Sequence, residues 1–227
     1  MYKREHHRVI DSLLKLFDPQ LLRQCQCYFG GGTAIALLLD EYRESVDIDF
    51  ICASQEGYRE LRNIVNQQNL GVLLTAPVKY PRDVRLDRYG IRTFLEVDGT
   101  SVKVEIVRED RIDILMGEDY PSFPVTALSR IDMFAEKLLA NADRGGDKST
   151  MSRDMIDTAM MMQAWGLIPP ESLSKARQAY GQSIDRSYSK SLAMINNPVH
   201  LGTCLDQMKM DQSLLTIIPE ILAKYPI

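Results

Sequence analysis

The chain lacks several things, and each absence narrows its function. No apolar run approaches the ~20 residues that span a bilayer, and the opening Met1-Tyr2-Lys3-Arg4-Glu5-His6-His7-Arg8 has no signal-peptide core. A cytoplasmic protein without a membrane segment is expected, with His6 and His7 solvated in a charged terminus. Cysteine is scarce: Cys25, Cys27, Cys52 and Cys204 include one C-x-C pair and no second. That disfavours a zinc finger or a disulfide framework and predicts reduced thiols. Positive charge is not in excess either. A net charge of −4 argues against broad, non-specific nucleic-acid binding but permits a local patch. There is no internal repeat or low-complexity segment. Apolar content of 45% and charged content of 26% are those of a soluble globular protein, and 227 residues can build one large core or two lobes.

What is present centres on two short segments. Gly30-Gly31-Gly32-Thr33 leads into the apolar run Ala34–Leu39, which predicts a glycine turn opening a buried helix. The first N–H groups of such a helix have no partner and carry the positive end of its dipole, so the turn is a ready anion site. Glycines that merely turn a strand into a helix give the same pattern. Then comes Arg43-Glu44-Ser45-Val46-Asp47-Ile48-Asp49-Phe50. Alternation of Val46, Ile48 and Phe50 with the acids predicts a strand buried on one face. Asp47 and Asp49 then leave the other face, about 6–7 Å apart. Each raises the other's pKa unless a cation is shared, which makes the pair half of a candidate magnesium site. Asp-x-Asp alone is equally an exposed polar face.

A third acid follows from a hairpin. Ile91–Val97 and Thr100–Val107 flank Asp98-Gly99, a two-residue turn signal. Across that turn, facing residues have numbers summing to 197, so Ile91 faces Ile106 and Leu95 faces Val102 on an apolar face. Arg92 then faces Glu105, and Phe94 faces Lys103, on the polar one. Glu105 is either a third metal ligand or half of a routine cross-strand ion pair.

Further along, Ile131, Phe134, Ala135, Leu138, Leu139 and Ala142 repeat at helical spacing after Ser129. Lys137, Asn141 and Arg144 share the opposite face, a solvated surface by default. A second helix is expected to open at Ser152, with Arg153, Asp154 and Asp157 in its first turns and Met155 and Met160–Met162 as core. Arg82, Arg85, Arg88 and Arg92, interleaved with Tyr80 and Tyr89, form the one candidate strip for RNA.

These residues resemble the nucleotidyltransferase superfamily in the form of the AbiEii/AbiGii-type abortive-infection toxins. Gly31-Gly32-Thr33 with Arg43-x-Ser45-x-Asp47-x-Asp49 is similar to the family's first motif. Val102–Val107 resembles the strand of the third acid, and Leu128–Arg144 resembles the lysine helix. Arg153-Asp154-x-x-Asp157 resembles the closing motif. The likeness spans about residues 28 to 160; residues 145–152 are longer than usual, and nothing is matched after 165. It implies one or two Mg²⁺ held by Asp47, Asp49 and Glu105. An NTP would be bound by Gly31, Gly32, Thr33, Arg43, Ser45, Lys137 and Arg144, with Asp47, Asp49, Glu105, Lys137 and Asp157 in catalytic roles. The implied activity is Mg-dependent transfer of a nucleoside monophosphate to an acceptor hydroxyl. The resemblance implies a cognate antitoxin as partner and does not identify the acceptor, for which RNA such as a tRNA 3′ end is the leading expectation. Alternatives are nucleotidylation of a protein or a small molecule such as an aminoglycoside, or an inactive nucleotide-binding module.

Strands first and helices afterwards predict an α+β fold. The expected layout is a nucleotidyltransferase-like domain over 1–122, a mixed sheet flanked by helices, and a mainly helical lobe over 123–227. Strands are expected at 25–29, 71–75 and 83–88 besides those above, and helices at 5–16 and 56–68, with helix breaks at 166–170 and 196–198.

Overall fold

A computed structural model describes residues 2–224. Within them the chain divides into two compact units: one runs to Leu38 and resumes over Ser45–Ser129, and the other comprises Leu39–Glu44 and the chain from Arg130 onward.

The first unit holds α1 (Glu5–Leu14), α2 (Pro19–Gln24), β1 (Cys27–Gly30), α3 (Gly31–Leu38), β2 (Asp47–Cys52), α4 (Gln55–Ile64), β3 (Lys79–Leu86), β4 (Gly90–Val97) and β5 (Thr100–Arg108). The strands form one sheet in the order β1-β2-β5-β4-β3. Only β2 and β5 run parallel; the other neighbours are antiparallel. Ile48, Phe50, Ile91, Leu95, Val102, Val104 and Ile106 are buried, and Phe17 stacks on Phe50 with ring centres 4.9 Å apart. Helix starts follow local chemistry. Asp18 accepts from Gln20 N and Leu21 N ahead of Pro19, and Ser54 accepts from Gly57 N.

The second unit is helical: α5 (Arg130–Arg144), α6 (Arg153–Trp165), α7 (Pro170–Tyr180), α8 (Ser183–Ile195), α9 (Pro198–Gln207) and α10 (Leu214–Ala223). The α+β class expected from the sequence holds, as do both helix breaks. Met155, Met161 and Met162 are core.

Several expectations are corrected. Residues 71–75 are no strand: Gly71–Leu73 is a 3₁₀ turn. Asn66 Oδ1 accepts from Gln68 N and Asn69 N, and Asn69 Oδ1 from Gly71 N, which turns the chain ahead of the segment, and Leu73 N and Leu74 N then bond within the turn to Leu70 O and Gly71 O. Helix α2 was not anticipated, and β3 starts at Lys79. Val46 is 45% exposed and precedes β2. Ser152 does precede α6, but its backbone is left-handed and its hydroxyl meets His200 Nε2 at 2.9 Å instead of capping the helix. The unit boundary falls at 129/130 rather than 122/123. Residues 126–128 bond back to β1, through Phe29 N to Thr126 O and Leu128 N to Phe29 O. Residues 39–44 belong with the helices for reasons of charge given below.

The β4–β5 hairpin has the anticipated register, from Ile91 opposite Ile106 to Val97 opposite Thr100. Both turn residues have positive φ, +51° at Asp98 and +77° at Gly99, as a type I′ turn requires. A Cβ at Gly99 meets nothing within 4 Å, so Gly99→Ala isolates backbone cost. We expect about 1–2 kcal/mol of destabilisation, read as a melting temperature lower by roughly 2–8 °C; an unchanged melting temperature would show that the turn relaxes to another form.

Candidate active site

Strand β2 places its acids as alternation demands. Ile48 and Phe50 are fully buried on one face, and Asp47 and Asp49 are half-buried on the other. Because β2 and β5 pair in parallel, Asp49 lies directly opposite Glu105, and Asp47 opposite Lys103. Neighbouring strands are about 4.8 Å apart, so three carboxylates and a lysine share a small area. Cations offset the crowding. Arg92 Nε donates to Glu105 Oε1 at 3.0 Å, Lys103 pairs with Glu105 Oε2, and Arg92 Nη1 also reaches Asp87 at 2.9 Å.

The glycine turn closes on this face. Gly30 pairs with Asp49 in the β1–β2 ladder, and α3 begins at the next residue. Gly31 has φ +67°, and a Cβ there would lie 2.3 Å from Asp49 Oδ2. Only glycine satisfies both the left-handed backbone and the close approach of the carboxylate. Thr33 is buried; its hydroxyl donates to Asp47 O at 2.5 Å and bonds Ser45 Oγ at 2.7 Å. Ser45 N donates to His7 Nε2 at 3.0 Å, and His6 Nε2 lies 3.0 Å from Val46 O. The expectation of two solvated histidines is therefore corrected: His7 is completely buried and, with an acceptor at Nε2, carries no proton there. The chain entering β2 is thus clamped from α1 and from α3.

The helical unit holds a second cluster. Arg43 grips Asp157 with two bonds, Nε to Oδ1 at 2.7 Å and Nη2 to Oδ2 at 3.0 Å, while Tyr42 OH donates to Oδ1. Lys137 Nζ sits 2.7 Å from Asp157 Oδ2 and 3.0 Å from Asp154 Oδ1. Arg144 closes the series on Asp154 at 2.7 Å and 3.0 Å. Three cations thus alternate with two carboxylates from the 39–44 segment through α5 and α6. This cluster is why residues 39–44 join the helices. Lys137 is 6% exposed and Asn141 is buried, so the face expected to be solvated is interior except at Arg144. Burial opposes ionisation of Asp157, yet Arg43 and then Lys137 hold its carboxyl far below the usual range. Burial likewise opposes the charge on Lys137, and Asp157 and Asp154 overcome it and raise its pKa. Burial and Asp157 push the Tyr42 phenol well up, so it stays a donor.

The model of the AbiEii family, described as a nucleotidyl transferase toxin of a type IV toxin–antitoxin system, matches residues 15–215. The chain belongs to the AbiEii family. Two solved structures are similar to it. One is a Helicobacter pylori protein provisionally named a nucleotidyltransferase, 13% identical, with TM-score 0.55 over 96% of this chain and 92% of that one. The other is JHP933 from the same organism, 13% identical, with TM-score 0.51 over 96% and 89%. At that identity they show the fold. No curated protein matches. The family match runs past residue 165, where the sequence alone suggested no likeness.

In this AbiEii-family chain, Asp47, Asp49 and Glu105 occupy one face of neighbouring strands, and Gly31, Thr33 and Ser45 border it. Arg43, Lys137, Arg144 and Asp157 form the second cluster. Hard carboxylate oxygens at Asp47 and Asp49 suit a magnesium ion, and the absent Cβ of Gly31 lets the Asp49 carboxylate pack against the turn. Glu105 fits by register, while its carboxylate is engaged by Arg92 and Lys103. Among the described residues no three acids, histidines or cysteines are drawn together tightly enough to hold a metal.

Three contributors were not singled out from the sequence: His7, Tyr42 and, as a site residue, Asp154. The last had a signal. Acids three apart on α6 face cations seven apart on α5, and both spacings keep to one helix face. His7 and Tyr42 act through long-range contacts with no periodic trace.

Asp157→Asn preserves shape but leaves Arg43 and Lys137 without their shared counter-charge. We expect a loss of about 3–5 kcal/mol at pH 7. Because the folded-state pKa of Asp157 lies below the unfolded one, its stabilisation is complete above the ordinary carboxylate range and drains away as pH falls through and below it. Urea unfolding of wild type and variant should therefore converge toward pH 3; a constant gap would place the stabilisation elsewhere.

Proposed function

We propose that this chain transfers a nucleoside monophosphate from an NTP to an acceptor hydroxyl, with RNA such as a tRNA 3′ end as acceptor. In this reading it is the toxin that a cognate antitoxin protein restrains. The observation that carries the proposal is the β2–β5 pairing, which sets Glu105 beside Asp49 and packs Asp49 against the Cβ-free turn that opens α3.

Asp47 and Asp49 would hold Mg²⁺, joined by Glu105 when its ion pairs exchange. The bound ion supplies charge neutralisation at the phosphate oxygens. The chain's own groups do the rest. Gly31, Gly32 and Thr33 offer the first N–H groups of α3, and Ser45 borders them. Thr33 contributes backbone rather than hydroxyl, since its Oγ1 is spent on Asp47 O and Ser45. Arg43, Lys137 and Arg144 are the proposed cations for the triphosphate. Lys137 uses two of its three N–H donors on Asp154 and Asp157, and the third is assigned to a phosphate oxygen. Asp157 is a positioning residue: a carboxylate held so far below its usual pKa is a poor proton acceptor near neutrality. The acceptor oxygen bonds the α-phosphorus in line, the bond to the β-phosphate oxygen breaks, and pyrophosphate leaves. The acceptor's proton passes to the acid face of β2 and β5. Positioning and charge provide most of the acceleration.

Incubation with each α-labelled NTP, Mg²⁺, total RNA and lysate protein tests this. Label should enter RNA, and Asp49→Asn, folded by circular dichroism, should lower incorporation by at least about 100-fold. Label in protein instead would move the reading to protein nucleotidylation. Incorporation by the folded variant at the wild-type rate would remove Asp49 from the chemistry.

A further inference from the structure

A cavity of 590 Å³ in the sheet unit has no role in the chemistry above. Its lining brings together four guanidinium groups from three places in the sequence: Arg59 and Arg62 on α4, Arg88 in the β3–β4 turn, and Arg108 at the end of β5. Among the described residues two acids offset them directly. Glu56 lies 3.5 Å from Arg59, and Asp110 pairs with Arg108. Four cations around one space, in a chain of net charge −4, are a local concentration that repels itself unless an anion enters. Arg108 adds a sharper sign. Its Nε is buried and makes no hydrogen bond, so protein oxygens meet this guanidinium only in part, at Asp110. The cavity's size suits a nucleotide-sized group.

This place is separate from the acid face. Arg108 lies opposite Cys52, three residues past the Asp49–Glu105 level. That is about 10 Å along the strands, and an odd offset puts it on the other face of the sheet.

The surroundings favour a strand of nucleic acid over a lone anion. Tyr89 is 54% exposed beside the cavity, with the Arg88 guanidinium 4.5 Å from its ring centre. Arg82 and Arg85 on the edge strand β3 pair with Phe94 and Arg92, on the face that carries Glu105, so they lie on the other side of the sheet from this cavity and drop out of the strip. Guanidinium groups that track a backbone, with an aromatic face for a base, are what single strands bind. The sequence strip is thereby redrawn. Arg92 leaves it for Glu105 and Asp87, and Tyr80 accepts from Leu70 N, while Arg59, Arg62 and Arg108 join from other elements.

We infer that the Arg59–Arg62–Arg88–Arg108 cavity is a second phosphate site that seats the backbone of single-stranded RNA, with Tyr89 stacking a base. The inference rests on RNA as the acceptor, and binding tests it apart from transfer. A fluorescein-labelled single-stranded RNA of about 12 nucleotides is titrated by anisotropy across a salt series. Arg62→Gln/Arg88→Gln, both exposed positions, should bind at least tenfold more weakly, with the slope of log K on log salt smaller by about 1.4. Tyr89→Ala should weaken binding with the slope unchanged, and Asp49→Asn should bind as wild type. Wild-type affinity and slope in the double variant would overturn the site even if Asp49→Asn abolishes labelling of RNA. Competition by polyglutamate as strong as by unlabelled RNA would also overturn it, in favour of an acidic protein partner.

Discussion

Asp49 and Glu105 stand opposite each other on neighbouring parallel strands, and the rest of the sheet unit is arranged around that juxtaposition of like charge. Two carboxylates so close repel each other unless positive charge is at hand. Arg92 and Lys103, on either side of Glu105, supply it from β4 and β5. The hairpin register therefore does more than pair apolar residues: it delivers Arg92 to the acid that needs it. Gly31 completes the arrangement, because a side chain there would displace Asp49.

The helical unit handles charge by another route. Arg43, Asp157, Lys137, Asp154 and Arg144 alternate in sign, so each buried ion meets partners of opposite charge. Such a series adds little stability over an apolar core of equal volume, yet loss of one member strands its neighbours. Its product is placement. Lys137 is held inside the protein by two carboxylates, which raise its pKa against the effect of burial. The end of the series is Arg144, half of whose side chain is exposed.

Local features were legible in the sequence. Alternation put Asp47 and Asp49 on one face, Asp98-Gly99 fixed the register from which Arg92 meets Glu105, and 3.6-residue spacing found α5 and α6. Long-range features were not. That β2 pairs in parallel with β5, out of chain order, leaves no mark on either strand. His7 reads as part of a charged terminus because nothing nearby reveals that Ser45, 38 residues away, will donate to it. Lys137 and Asn141 look like a solvated helix face because helical spacing reports which residues lie together and not what covers them. The segment 71–75 failed for a local reason: Asn66 and Asn69 turn the chain just ahead of it, and its next donors close a 3₁₀ turn.

The central claim is that the acid face of β2 and β5 binds a nucleotide through a divalent cation. Isothermal titration with a non-hydrolysable NTP analogue, with and without Mg²⁺, tests it most directly. Wild type should bind the analogue at least about tenfold more tightly with Mg²⁺ than without, a coupling of about 1.4 kcal/mol. In Asp47→Asn/Asp49→Asn that difference should vanish while the circular dichroism spectrum stays the same. An equal gain from Mg²⁺ in the two proteins would contradict the claim.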